Sequence, residues 1–246
     1  MSKKMTMQEA ITEAKRCLNC SRPLCRTGCP IENNIPEFVR ALSEGNIGNA
    51  YETIAERSNL PAICGRVCAH EKQCEAHCIL AKKNSAISIG SLEMFIADFA
   101  HEYGLNPVPP STGKRGKVAV IGSGPAGLTV AGDLAKMDFA VTIFEGQPEP
   151  GGVLLFGIPE FRLEKEVVRR EINILRKLGV EIVTEKLIGP DMTVDDLFAQ
   201  GYDAIFMGTG TALPRTLDIP GQELSGILTA TYFLKVVVLA DSGKLD

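Results

Sequence analysis

The pattern of hydrophobic and polar positions changes character near the middle of the chain. Up to about residue 105, apolar residues recur at helical spacing in short separate segments, most clearly from Ile89 to Phe99. No strand pattern occurs before residue 116, so this part is predicted to be helical. The helices predicted here span residues 1–16, 35–42, 50–57 and 87–103.

The second half of the chain alternates short apolar runs with amphipathic segments. The runs predict strands over 117–121, 141–145, 180–184 and 203–207, and the segments predict helices over 127–137 and 164–178. This alternation is typical of a parallel, doubly wound α/β sheet. Residues 106–116 are rich in Pro, Gly and Ser and are interpreted as a linker. We therefore predict a helical domain over 1–112 and an α/β domain over 113–246.

Composition narrows the class of protein without identifying it. The 246 residues are 45% hydrophobic and 23% charged, as in an ordinary globular protein. The net charge of −4 gives no reason to expect nucleic acid or an anionic membrane as a partner. The longest apolar run, 227–240, is interrupted by Lys235 and is too short to span a bilayer. Residues 1–15 lack the apolar core of a signal peptide, so we expect a cytoplasmic protein.

The cysteines are the most informative residues of the first half. All eight lie between Cys17 and Cys78. In a reducing compartment, such clustering favours metal or iron–sulfur ligation over disulfides. They form two runs, Cys17-x2-Cys20-x4-Cys25-x3-Cys29 followed by Pro30, and Cys64-x3-Cys68-x5-Cys74-x3-Cys78.

The spacing of these runs favours two 4Fe–4S clusters. Compact cysteine segments that end in Cys-Pro are typical of ferredoxins, where the fourth cysteine of a run often ligates the other cluster. Structural zinc is the chief alternative, although neither run divides cleanly into two zinc knuckles. Counting ligands from the residues alone makes Cys64 the eighth ligand. His70 and His77 lie inside the second run and are interpreted as solvated loop residues.

A glycine motif in the second half predicts a dinucleotide site. Gly122, Gly124 and Gly127 stand between a predicted strand and a predicted helix. They permit a tight turn, the approach of a pyrophosphate to the backbone, and close packing of helix on strand. Glu145 ends the next predicted strand, where an acid that binds a ribose is expected.

Two further glycine segments favour FAD over NAD as the dinucleotide. The pair Gly151-Gly152 follows Glu145 closely, and Gly208-Thr209-Gly210 follows an apolar strand. Flavoproteins bring the backbone close to the flavin at such positions. Either segment taken alone is more typical of a turn.

Together these motifs resemble the small (beta) subunit family of NADPH-dependent glutamate synthase, which is related to the N-terminal half of dihydropyrimidine dehydrogenase. The matching pieces are CLNC, PLC, GCP, CGRVC, ISIGSLEMF, VIGSGPAGL, GG with GIPEFRL, and GTGTALPRTLDIPG. They occur in one order from about Cys17 to Gly221. The resemblance implies a helical iron–sulfur domain followed by the first part of a Rossmann-type FAD domain.

The resemblance also implies specific ligands. It assigns one cluster to Cys17, Cys20, Cys25 and Cys78. It assigns the other to Cys29, Cys68, Cys74 and Glu93, which leaves Cys64 as the alternative to Glu93. For FAD it points to Gly122, Ser123, Gly124, Pro125, Ala126, Glu145, Gly152, Val153, Arg162 and the strand end near Ile188. The glycine segments themselves add Gly127, Gly208, Thr209 and Gly210 to the candidate FAD residues.

The function implied by the resemblance is electron transfer from NADPH through FAD and two clusters to a large catalytic subunit, as in glutamate biosynthesis. Bifurcating or sulfide dehydrogenase-type oxidoreductases on the same scaffold, and a non-catalytic docking module, are the alternatives. Relatives of this kind continue into an NADPH domain, and the sequence has no second dinucleotide motif. We therefore expect an incomplete FAD site, a missing NADPH site, and no acid–base catalytic residue in this chain.

Overall fold

The computed structural model describes residues 4–83, 85–105, 109–211 and 217–243. The chain divides into two compact units, Met1–Pro109 and Pro110–Asp246. Part of the predicted linker, residues 106–108, and part of the GTGTALPRTLDIPG motif, residues 212–216, lie outside the described residues.

The N-terminal unit is helical throughout its described part, as predicted. Its α-helices are α1 Met7–Ala14, α2 Leu24–Thr27, α3 Ile35–Ser43, α4 Ile47–Ala55, α5 Pro61–Val67 and α6 Ile89–Glu102. Two 3-10 turns span His70–Lys72 and Ile79–Lys83. Local sequence explains several starts: Thr6 and Glu9 form a capping box before α1, and Pro36 occupies the first turn of α3.

The core of this unit lies between the apolar faces of α3, α4 and α6. Phe38, Leu42, Ile54, Leu92 and Ile96 are at most 1% exposed. Burying each of these side chains away from water stabilises the fold by about 1.5–3 kcal/mol. Several cysteines pack against the edge of this core, so the helices provide a rigid support for the cysteine loops.

Helix α5 lies in a part of the chain where no helix is predicted. Cys64 lies inside this helix, and the backbone N–H of Cys68 still bonds to the Cys64 carbonyl at 3.2 Å. Pro61 at the first helical position starts the helix, and buried Ala62 and Ile63 anchor it. Helical spacing therefore places Cys64 and Cys68 one turn apart on the same side of α5.

The C-terminal unit contains a four-stranded parallel sheet among its described residues. The strands are β1 Lys117–Ile121, β2 Ala140–Phe144, β3 Glu181–Val183 and β4 Ala204–Met207, in the order β3-β2-β1-β4. In the centre, Val120 pairs with Ile143 of β2 and Phe206 of β4. The predicted α/β class and parallel sheet are confirmed.

Helices connect these strands and cover both faces of the sheet. They are α7 Pro125–Lys136, α8 Val153–Phe156, α9 Lys165–Lys177, α10 Val194–Ala199 and α11 Ala230–Asp241. Leu197 of α10 packs with Ala119, Ile121 and Phe144 from the sheet. The strand order reverses between β1 and β4, and ligands of such sheets bind beside this point, at the carboxyl ends of the strands. Within the described residues, no helix is long and apolar enough to cross a membrane.

Candidate cofactor sites

Four cysteines from distant parts of the sequence line one pocket in the N-terminal unit. They are Cys17, Cys20, Cys25 and Cys78, which we call the first cysteine set. Cys17 and Cys20 follow α1, Cys25 lies in α2, and Cys78 immediately precedes a 3-10 turn. The rest of the pocket wall is mostly apolar and includes Leu18, Leu24, Ile35, Val39, Leu80 and Ile87.

The thiols of the first cysteine set influence one another electrostatically. Burial, together with negative charge on Cys17, Cys78 and Cys20, raises the pKa of the Cys25 thiol to about 11. Burial also raises the pKa of Cys17, and negative charge on Cys20 and Cys78 adds to this shift. Four such thiols cannot ionise together without a nearby positive charge, which a bound metal group supplies.

A second group of side chains surrounds Cys64 and Cys68. The Cys64 thiol donates a hydrogen bond to the Cys68 sulfur, which lowers the pKa of Cys68 to about 7. That bond, burial and the Glu93 carboxylate raise the pKa of Cys64 well above its usual value. Burial raises the pKa of Cys74, and negative charges that include Glu93 and Cys29 add to it. The structure thus brings these five residues, the second set, into one neighbourhood.

Two contacts hold α5 tightly against α6. A Cβ on Gly65 would lie 2.6 Å from the backbone nitrogen of Met94, so this approach requires glycine. Arg66 pairs with Asp98 through Nη2 and Oδ2 at 2.8 Å, and its side chain is only 10% exposed. Both contacts fix the position of Cys64 beside α6, the helix that carries Glu93. Neither contact was predicted from the sequence.

The start of α6 is tied to the cysteine loop by Glu75 and His70. The Glu75 carboxylate accepts the backbone N–H of Gly90 at 3.0 Å, as an acid at a helix N-terminus should. The prediction that His70 is a solvated loop residue is wrong. His70 lies in a 3-10 turn and is buried against α6, where a Cβ on Gly90 would lie 2.3 Å from its ring. His77 is exposed, as predicted.

The donor chemistry of both sets fits iron–sulfur clusters. All eight cysteines are free thiols, and cysteine thiolates are the usual ligands of these clusters. In the part of the chain that the structure describes, no three His, Cys, Asp or Glu side chains are placed to hold a single metal ion. The first cysteine set is therefore defined by the pocket that its members share. The second set is defined by the effect that its members' charges have on one another's pKa.

The glycine turn after β1 has the form expected for a dinucleotide site. Gly122 has a φ of +95°, and a Cβ there would lie 2.4 Å from the Gly208 carbonyl oxygen. A Cβ on Gly127 would lie 1.9 Å from the Gly122 carbonyl oxygen, so α7 packs against the turn as only glycine allows. Pro125 and Ala126 form the first turn of α7, whose N–H groups and dipole favour a phosphate.

The acid at the end of β2 is held in a fixed orientation. The backbone N–H and the hydroxyl of Ser123 donate to the Glu145 carboxylate at 2.9 and 2.5 Å. The backbone N–H of Gln147 donates to the other carboxylate oxygen of Glu145 at 2.8 Å. The backbone N–H of Gly151 donates to the Ser123 hydroxyl at 2.9 Å. This buried network joins the turn after β1 to the loop after β2.

The remaining glycines bring two more loops to the same place. Gly152, at a φ of +51°, is so close to the turn that a Cβ would lie 2.7 Å from the Gly124 Cα. A Cβ on Gly124 itself would have no described protein atom within 4 Å, which leaves room above it for a ligand. On the other side, the Thr209 Cα would lie 3.3 Å from a Cβ on Gly122. Gly210 continues this loop at a φ of +69°.

Three predicted flavin residues lie in the connections that follow β2 and β3. Val153 begins α8 and is 56% exposed. Arg162 donates its backbone N–H to the Pro159 carbonyl at 2.9 Å in the loop before α9, and Ile188 pairs with Met192 after β3. All the predicted FAD residues therefore lie on the segments that follow the four strands at their carboxyl ends, where such sheets bind ligands.

Comparison with known families matches the two halves of the chain separately. Residues 1–105 match the family described as dihydropyrimidine dehydrogenase domain II, 4Fe-4S cluster. Residues 116–241 match the pyridine nucleotide-disulphide oxidoreductase family. The order of an iron–sulfur part before a dinucleotide-binding part is thus confirmed.

Curated relatives show the same resemblance over most of the chain. It is 41% identical over 228 residues to the glutamate synthase (NADPH) small chain of Halomonas elongata, covering 92% of this chain and 48% of that one. It is 39% identical over 227 residues to the corresponding Escherichia coli K12 protein, with the same coverage. A third relative, the NAD-dependent dihydropyrimidine dehydrogenase subunit PreT of Escherichia coli O157:H7, is 39% identical over 208 residues, covering 83% of this chain and 50% of that one. The chain spans about half the length of these relatives.

Proposed function

Since this chain belongs to the pyridine nucleotide-disulphide oxidoreductase family, we propose that it is part of an electron-transfer oxidoreductase. Its role is to pass electrons from NADPH through FAD and two 4Fe–4S clusters to a partner subunit. By similarity to the glutamate synthase small chains, that partner is a large subunit of the glutamate synthase type.

One observation carries the proposal. The same chain holds two groups of cysteine side chains and a set of glycine loops that converge at the carboxyl edge of a parallel sheet. A protein with iron–sulfur ligands alone has no need of a dinucleotide cradle. Cysteine groups and a dinucleotide site in the same chain are what is needed to connect a two-electron carrier to one-electron carriers.

The roles of the residues follow from their placement. When bound, FAD accepts a hydride and releases single electrons, which the clusters accept one at a time. The turn around Gly124 and the N-terminus of α7 bind the pyrophosphate, and Glu145 binds the ribose. Ser123 holds Glu145 in the orientation that this contact needs. The cysteines hold the clusters, and the surrounding core keeps water away from them.

We assign the first cysteine set to one cluster, and Cys29, Cys68, Cys74 and Glu93 to the other. Glu93 is 9% exposed, and its charge acts on both Cys64 and Cys74, so the carboxylate lies within the second set. A carboxylate is an oxygen ligand that iron accepts. Cys64 then serves as the hydrogen-bond donor to the Cys68 sulfur rather than as a ligand.

The test is the content of iron, acid-labile sulfide and zinc per chain, measured on protein purified without oxygen. Two 4Fe–4S clusters contain about eight iron and eight sulfide. That result, with flavin bound after addition of FAD, supports the proposal. Zinc without sulfide, persisting after anaerobic cluster reconstitution, would refute the electron-transfer role of the N-terminal unit.

A further inference from the structure

The segments that carry the first cysteine set are unusually basic. Residues 15–26 and 77–83 include six Lys or Arg and no Asp or Glu. Residues 64–75, which carry three cysteines of the second set, have two Lys or Arg and two Asp or Glu. Both sets offer four anionic ligands under the proposed assignment. Neutralising cluster charge therefore does not explain why only the first set has excess positive charge.

Two acidic residues, Glu13 and Glu75, each stand two positions before one of these segments and do not cancel the excess. Glu75 accepts the backbone N–H of Gly90 at 3.0 Å at the start of α6. Glu13 pairs with Arg16 at 2.6 Å and accepts the backbone N–H of Ser88 at 2.9 Å, with its side chain 14% exposed. It therefore neutralises one cation and faces inward. The five remaining basic residues are Lys15, Arg22, Arg26, Lys82 and Lys83.

Apolar side chains stand exposed among these cations. Leu18, Leu24 and Ile79 are 60%, 54% and 48% exposed, and all three line the pocket of the first cysteine set. Arg22 lines the same pocket, and Lys82 lies in the same 3-10 turn as Ile79. The result is an apolar centre with a basic rim, placed directly over the four thiols.

We propose that this surface, formed by Leu18, Leu24 and Ile79 with Arg22 and Lys82, docks an acidic protein that exchanges electrons with the chain. The proposal rests on the proposed function and identifies the kind of partner that the first cysteine set meets. Interfaces combine an apolar centre with a polar rim. Opposite charge on the partner speeds encounter and fixes orientation, which a short-lived electron-transfer complex requires. The matching face is therefore rich in carboxylates around a small apolar patch.

The test measures binding, so that it does not depend on turnover. The probe is a plant-type ferredoxin, a small acidic 2Fe–2S protein, titrated calorimetrically into the anaerobically purified full chain at low and high salt. The test variant is Arg22→Glu with Lys82→Glu. The matched control is Arg176→Glu with Lys177→Glu, two exposed cations of α9 in the other unit.

We expect the test variant to raise the Kd about tenfold at low salt and to flatten its salt dependence, since two favourable contacts become repulsive. The control variant should bind as the parent does. Leu18→Ala should weaken binding without changing the salt dependence, because it removes only apolar contact. Iron and sulfide are measured on every sample.

The outcomes separate this proposal from the one on which it rests. Equal Kd values for parent, test and control variants, or no binding at low salt, would overturn the docking surface even with both clusters present. Binding that follows charge in protein without iron would keep the docking surface and remove the electron-transfer role. Preference for anionic lipid vesicles over ferredoxin would also overturn a protein partner.

Discussion

Replacing Gly124 by alanine tests the FAD site without disturbing the fold. Gly124 has a φ of −69°, which alanine adopts freely, and a Cβ there meets no described protein atom within 4 Å. The methyl group would instead occupy the space in which we place the pyrophosphate. The substitution should therefore weaken FAD binding in a protein that still folds.

The expected magnitude follows from the contact that the methyl group would obstruct. Forcing an extra methyl group into a close-packed contact costs about 1–3 kcal/mol. That cost raises the Kd for FAD roughly 5- to 150-fold. The folded state loses less, because Gly124 is the N-cap of α7, where replacing glycine by alanine costs up to about 1 kcal/mol.

The assay is quenching of flavin fluorescence as the protein is titrated, with urea unfolding measured on the same preparations. Gly127→Ala is the contrasting variant, because its Cβ would lie 1.9 Å from a backbone oxygen, and it should lose stability as well as FAD. Gly48→Ala in α4 is the neutral control, since its Cβ would come no closer than 3.9 Å to any described atom. An unchanged Kd for Gly124→Ala in stable protein would refute the placement of the pyrophosphate.

Three other substitutions test separate parts of the structure. Gly90→Ala drives a Cβ into the buried ring of His70 and should lower the free energy of unfolding by about 1–3 kcal/mol in urea; no change would show that the ring moves aside freely. Glu93→Ala should lose about four iron per chain whereas Cys64→Ser keeps both clusters, and the opposite result would make Cys64 the ligand. Ser123→Ala leaves the buried carboxylate at the end of β2 without a hydroxyl donor and should cost about 1–3 kcal/mol of stability, which thermal unfolding with intact secondary structure would check.

The sheet was predictable because its signals are local. A strand buried on both sides reads as an unbroken apolar run, and glycines mark the turn that follows. The prediction for β1 matches the observed Lys117–Ile121, β2 is shifted from its prediction by one residue, and β4 begins one residue later than predicted. The glycine motif lies between β1 and α7, as predicted, because its spacing encodes a strand, a turn and a helix.

The contacts around the second set were not predictable, because they depend on packing between segments. Helix α5 is short and ends inside the second run of cysteines, so its apolar pattern covers too few residues to stand out. His70 is buried by a helix that begins 19 residues later in the chain. The local sign of the His70 packing is Gly90. Its need for glycine becomes clear only in the structure, where a Cβ would run into the His70 ring.

The cysteine runs 17–29 and 64–78 predict two clusters with ligands exchanged between the runs, because the fourth cysteine of such a run often ligates the other cluster. The structure places Cys78 in the pocket of Cys17, Cys20 and Cys25, and negative charge on Cys29 acts on Cys74. Packing between the two runs accounts for this arrangement, because a Cβ on Gly28 would lie 2.5 Å from the ring of His77. The loops that end in Cys29 and Cys78 therefore pack on each other, and each contributes a cysteine to both sets. We therefore expect a disturbance of either loop to affect both proposed clusters, and a substitution of Glu93 on α6 to affect one.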